Sequence, residues 1–157
     1  MVNAFTVDLE DWFQGLTSTN PHPEAWHRYE ARLERNADRL LALLQDHNVT
    51  ATFFVLGYVA QRYPELPRRI DAAGHEIGVH GYWHRGIHSL SPEQFLSEMD
   101  EAVEALEPQV SRPIIGHRAP YFSIDRRTLW ALERPREKPS LRHRKTWIPP
   151  TLPSRHP

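Results

Sequence analysis

Three short runs hold most of the side chains able to do chemistry: Asp8-Leu9-Glu10-Asp11, His80-Gly81-Tyr82-Trp83-His84 and His117-Arg118-Ala119-Pro120-Tyr121. Histidines four residues apart can be aimed at one point by a helical turn or a tight loop. One added carboxylate completes a set of two histidines and one acid, three ligands that leave a position on a divalent metal open for water. Zinc or a similar ion held this way brings the pKa of its water to about 7 and polarises a carbonyl. The chemistry on offer is metal-assisted hydrolysis, with an arginine at hand to pair with a carboxylate. There is no cysteine, which excludes a thiolate zinc site, a disulfide framework and a cysteine nucleophile.

Each run follows a segment that reads as a strand. Residues 4–7 form a short apolar stretch ahead of the acids, residues 50–56 are β-branched and aromatic on both faces, and residues 76–79 and 113–116 lead into the two histidine-bearing runs. Between them lie helical stripes. Leu33, Ala37, Leu40, Leu41 and Leu44 repeat at helical spacing, as do Phe95, Met99, Ala102, Val103 and Leu106. A helix over about 66–73 is expected to stop at Gly74, a left-handed C-cap. Ser91-Pro92-Glu93-Gln94 reads as a capping box with proline at the first helical position, and Leu90 and Phe95 as its hydrophobic staple. Ser123 or Asp125 is expected to cap a last helix running to about Leu132. Alternation of this kind predicts an α/β fold with a parallel sheet, whose C-terminal strand ends carry the site. Four βα units make about half of an eight-stranded barrel, which takes ~250 residues.

The motifs have a family likeness. Thr6-Val-Asp-Leu-Glu-Asp-Trp-Phe13, Ala51-Thr-Phe-Phe-Val-Leu-Gly57, Ala73-Gly-His-Glu-Ile-Gly-Val-His-Gly-Tyr-Trp-His84 and Gly116-His-Arg-Ala-Pro-Tyr-Phe-Ser123 resemble, in order and spacing, the polysaccharide deacetylases with a NodB-homology domain, carbohydrate esterase family 4. The nearest likeness is to the branch that opens on a VDxEDWF motif and accompanies exosortase and exopolysaccharide systems. The resemblance implies a distorted (β/α) barrel of NodB type that removes N-acetyl groups from amino sugars of a polysaccharide or oligosaccharide. It also implies a divalent metal, with zinc the expected ion. On the same resemblance Asp8 is the general base, His80 and His84 are metal ligands, Arg118 orients the base, and the Tyr121 amide is an oxyanion donor. For the third ligand the reading favours Asp11, turned inward by a bend, over Glu10, which shares a face with Asp8 if the strand continues. His75 reads as a surface residue, His117 as either a site or a structural group, Trp12, Tyr82 and Trp83 as rim or core packing with a sugar-groove lining as the alternative, and Phe53 and Phe54 as core.

Charge divides the chain. Residues 134–157 carry seven Lys or Arg against Glu137 alone, with six prolines, whereas residues 1–133 carry 12 basic and 19 acidic residues. That shift marks a boundary between a partial deacetylase domain over 1–133 and a basic, proline-rich tail over 134–157 that reads as disordered or frameshift-derived. The later strands and the late histidine acid that the resemblance implies are not placed, so an incomplete barrel of low activity is expected. The near-neutral balance argues against a nucleic-acid partner, and no apolar run is long enough to span a membrane. With no basic-then-apolar leader, the expected location is cytoplasmic. Two other readings use the same residues: a cytosolic amidohydrolase of allantoinase type acting on a small amide, and a non-catalytic metal-binding fragment.

Overall fold

A computed structural model of the chain describes residues 4–15, 19, 21–114 and 116–133. The expected tail over 134–157 lies outside the described residues. Three parallel strands, β1 (Thr6–Leu9), β2 (Thr52–Val55) and β3 (Glu76–Val79), pair in the order β1-β2-β3. The helices are α1 (Trp12–Gly15), α2 (Leu33–Asp46), α3 (Gly57–Arg62), α4 (Glu65–Ala72), α5 (Pro92–Leu106) and α6 (Trp130–Glu133). Among the described residues no helix is long and apolar enough to cross a membrane.

Pairing sets the strand limits. β1 begins two residues later than the apolar run because Thr6 pairs with Thr52 and Leu9 with Val55, which brings Asp8 inside the strand. Register places Asp8, Phe54 and Gly78 side by side on one face. A Cβ on Gly78 would come within 2.8 Å of the Phe54 ring, so glycine makes room for that ring. Phe53, on the other face, is fully buried, whereas Phe54 is only half-buried.

Of the expected fourth strand, the described residues show one parallel bridge, Val79 to His117. The Val79 amide donates to Gly116 O at 2.8 Å and the Arg118 amide to Val79 O at 2.9 Å. Pro113 has no N–H to contribute to a longer ladder. By this register Arg118 lies level with His80.

The capping signals at α4 and α5 formed as read. Ser91 accepts from the Gln94 amide and Gln94 accepts from the Ser91 amide, closing the box that starts α5. Gly74, at φ +88°, follows α4, with its amide on Asp71 O and that of His75 on Ile70 O. These two bonds make a Schellman C-cap. Phe95, Met99, Ala102 and Leu106 join Leu33, Ala37 and Leu44 of α2 in one apolar core around β2. The short helix α3 has no stripe of its own. It begins where Gly57 and Tyr58 donate to the carbonyls of Gly81 and Tyr82, and a Cβ on Gly57 would strike the Tyr82 ring at 2.3 Å.

The last helix is shorter than expected. Asp125 spends its carboxylate on the Arg127 amide in a local turn, and Ser123 donates to Pro120 O and accepts from the Ile87 amide. Neither starts a helix there, and α6 covers only Trp130–Glu133. His75 is not on the surface: it is buried, and its Nδ1 accepts from the Ala51 amide at 3.3 Å.

Candidate active site

Beyond the C-terminal ends of the strands lies a cleft of about 180 Å³ lined by Asp8, Glu10, His80, His84, Arg118 and Tyr121, among others. Strand periodicity builds its acidic side. Asp8 and Glu10 are two residues apart and share a face, while Leu9 and Asp11 turn to the other side and are both buried.

That alternation separates the two candidate carboxylates. Glu10 Oε2 lies 2.7 Å from His84 Nε2, and one ligand atom from each of Glu10, His80 and His84 falls within a 4.8 Å cluster. Asp11 is elsewhere. Its Oδ2 accepts from the amides of Arg32 at 2.8 Å and Leu33 at 3.1 Å, and its Oδ1 accepts from Trp12. The Asp11 carboxylate therefore caps α2, whose own N-cap residue, Arg32, makes no side-chain capping bond. Negative charge is favoured at such a helix start, and three amide donors satisfy the buried carboxylate. The carboxylate beside the histidines is Glu10, contrary to the expectation for Asp11. Period-two alternation was the signal for it.

The histidines are held from behind. His80 Nδ1 lies 2.8 Å from Arg118 O. A carbonyl only accepts, so Nδ1 carries the proton and Nε2 presents its lone pair to the cleft. Burial pushes the His80 pKa down against the opposing pull of Asp8, which keeps the imidazole neutral. His84 has φ +53°, a left-handed conformation that side chains rarely adopt, and its ring meets that of Tyr121 edge-on at 4.6 Å. Gly15 crowds the acidic side: a Cβ there would come within 2.9 Å of Glu10 Oε1.

Opposite the cluster, Arg118 holds Asp8. Nη1 donates to Asp8 Oδ1 at 2.7 Å and Nη2 to Thr6 Oγ1 at 2.7 Å. The guanidinium also lies over the Phe54 ring, 4.2 Å from its centroid. Asp8 Oδ2 is 3.9 Å from His80 Nε2, so one oxygen is anchored and the other faces the histidines. Tyr121 and Phe122 have φ of +56° and +50°. In that turn the Phe122 and Ser123 amides bond Ala119 O and Pro120 O. Burial and the charge of Glu10 raise the Tyr121 phenol pKa.

His117 lies behind this layer. It is buried with its ring 5.7 Å from that of Phe95, and burial and His80 push its pKa down to about 3. Trp83 and Tyr82 pack with Trp26 and Tyr58, and Trp12 packs edge-on against Phe13 and Tyr29.

The donor set suits a divalent ion. Two buried imidazoles and a carboxylate are the ligand types of a catalytic zinc site. Glu10 Oε2 is buried and makes no hydrogen bond despite its closeness to His84, as expected of an oxygen aimed at a shared centre.

Residues 19–135 match the family model of the polysaccharide deacetylases. The chain belongs to the polysaccharide deacetylase family. The matched span contains His80, His84, Arg118 and Tyr121 and begins after Asp8 and Glu10. A peptidoglycan-N-acetylglucosamine deacetylase of Bacillus cereus is 32% identical over 96 residues, covering 60% of this chain and 35% of that protein. A chitooligosaccharide deacetylase of Azorhizobium caulinodans is 34% identical over 80 residues, covering 50% of this chain and 38% of its own. The chain thus matches little more than a third of the length of either relative. Among solved structures, a presumed polysaccharide deacetylase from Mycobacterium smegmatis superposes with a TM-score of 0.67 at 31% identity, over 82% of this chain and 46% of that one. The α/β architecture is that of the deacetylase family, and the three strands described here are part of its barrel.

Proposed function

We propose that the cleft is the active site of a zinc-dependent N-deacetylase acting on acetylated amino sugars of a polysaccharide or oligosaccharide. The observation that carries this reading is the convergence of Glu10, His80 and His84 beside the Asp8–Arg118 pair. Glu10, His80 and His84 would hold the ion. A divalent ion there supplies Lewis acidity toward an amide carbonyl and lowers the pKa of a water.

The remaining work falls to the chain. Arg118 fixes one oxygen of Asp8, and the other takes a proton from the attacking water. The Tyr121 amide donates to the oxygen on which negative charge develops, a contribution worth ~3 kcal/mol. The C–N bond breaks, acetate leaves with the acyl carbon, and the amine departs with the proton that Asp8 took from the water. Among the described residues the cleft lining holds no histidine besides His80 and His84. Proton delivery to the amine by a general acid is worth roughly 10²–10⁴ in rate, and slow turnover is expected where none reaches it. Relatives named for peptidoglycan and chitooligosaccharide deacetylation favour an N-acetylated glycan over a small amide.

The test is acetate release from N-acetylglucosamine oligomers by the purified chain, with zinc, with chelator, and with Asp8→Asn. Slow release that needs zinc and is lost in the variant supports the reading. Zinc bound without any release leaves a non-catalytic metal site and refutes the enzyme.

A further inference from the structure

Glu98 lies on the face of α5 that carries Phe95, Met99 and Ala102 into the core, and it is only 4% exposed. A carboxylate buried there is costly unless its charge and lone pairs are met. The connection between the two histidines meets them. Arg85 closes on it through Nε, and the amides of Tyr82 and Trp83 join Arg85 in opposing the burial that raises its pKa. All three donors belong to the segment that follows His80 and turns through His84.

Gly81 has φ +78° and His84 φ +53°, two left-handed residues within one short turn. Conformations of this kind persist where the surroundings over-determine them. Glu98 adds to that constraint from α5, beside the bonds of Gly57 and Tyr58 to the same turn, and a Cβ on Gly81 would lie 3.8 Å from its Oε2. On the far side the turn carries the His84 imidazole that meets Glu10.

We infer that Glu98 is a positioning residue for the histidine pair: by gripping the 81–85 turn from α5 it sets the aim of His84 relative to His80, and with it the affinity and geometry of the metal site. The inference rests on the reading of Glu10, His80 and His84 as metal ligands. Outer-shell groups that orient ligands are commonly worth 10–100-fold in metal affinity. A purely structural ion pair would instead change stability and leave the site's geometry alone.

The experiment measures zinc affinity by chelator competition, the visible spectrum of the cobalt-loaded chain, and Tm in chelator. It compares wild type with Glu98→Gln, Glu98→Ala and Val103→Ala, the last loosening the same helix away from the turn. Glu98→Gln keeps the shape and one accepting oxygen, so it decides the matter if Glu98→Ala does not fold. The expected result is about a 10-fold loss of zinc affinity in Glu98→Gln and a larger loss in Glu98→Ala, within the 10–100-fold range, each with an altered cobalt spectrum. Val103→Ala is expected to lower Tm and leave affinity and spectrum unchanged. Affinity and spectrum unchanged in folded Glu98→Gln, or moved equally by Val103→Ala, would overturn the inference alone. No zinc or cobalt bound by wild type would remove the metal reading and this inference together.

Discussion

β3 carries a histidine at each end, and the two have opposite fates. His75 precedes the strand and is buried with its Nδ1 accepting the Ala51 amide. That bond leaves its proton on Nε2 and closes the sheet's lower end. His80 follows the strand, and the reverse arrangement, with Nδ1 facing the Arg118 carbonyl, presents the Nε2 lone pair to Glu10, His84 and Asp8. Burial holds both pKa values down, aided at His75 by Arg112 and opposed at His80 by Asp8. Burial and a lowered pKa thus do not distinguish structure from chemistry. What distinguishes them is which ring nitrogen the backbone occupies and what the other one faces.

The strongest way to break this contrast is to remove each ring. His80→Ala is expected to weaken zinc binding by roughly 100-fold or more, since it removes one of the three proposed ligands. His75→Ala should leave zinc affinity within about twofold and lower stability instead, by about 1–2 kcal/mol for the amide left without its acceptor. Equal losses of zinc affinity in both variants would erase the distinction.

Acid sharpens it from a third histidine. His117 is pushed down to about 3 from an ordinary 6.5, so between those values the unfolded chain takes up a proton that the folded chain refuses. Stability is unaffected by this group above pH 6.5, falls as pH drops below it, and levels off near the folded value. A loss of a few kcal/mol by pH 4 is expected. Denaturant unfolding of the chelated chain at neutral and acid pH, with and without His117→Gln, measures it. An identical acid loss in the variant would show that carboxylates alone, such as the paired Asp71, account for the drop.

At the active rim, Arg118→Lys removes the two-pronged grip on Asp8 and Thr6 but keeps a charge. Turnover is expected to fall about 10-fold or more with zinc affinity unchanged. The smallest effect belongs to the quiet end. Asp71 joins α4 to Ser111 and Arg112, and Asp71→Ala should cost about 1–2 kcal/mol in unfolding without touching zinc or turnover.

Much of this was legible in the sequence because it is local. The Ser91 capping box, the Gly74 C-cap and the α2 and α5 stripes are decided by residues three or four apart. The three polar runs at strand ends were equally plain. What escaped was decided by distant partners. Asp11 looked like a ligand beside Glu10, yet its carboxylate is claimed by the start of α2, more than twenty residues away. His75 looked exposed after a helix-ending glycine, but the Ala51 amide draws it inside. Of the fourth strand, the described residues show only the bridge of His117 to Val79. One faint sign was present for Glu98: an acid three residues after Phe95, inside an otherwise apolar stripe.

Adjacent acids offer the most direct test of the metal site. Zinc titration of the purified chain, run beside Glu10→Gln and Asp11→Asn with Tm recorded for each, separates the ligand from the helix cap. Glu10→Gln is expected to lose about 100-fold or more in zinc affinity with Tm in chelator little changed. Asp11→Asn should bind zinc as wild type does and lose about 1–2 kcal/mol of stability from the weakened cap. Zinc binding retained in Glu10→Gln and lost in Asp11→Asn would contradict the site described here.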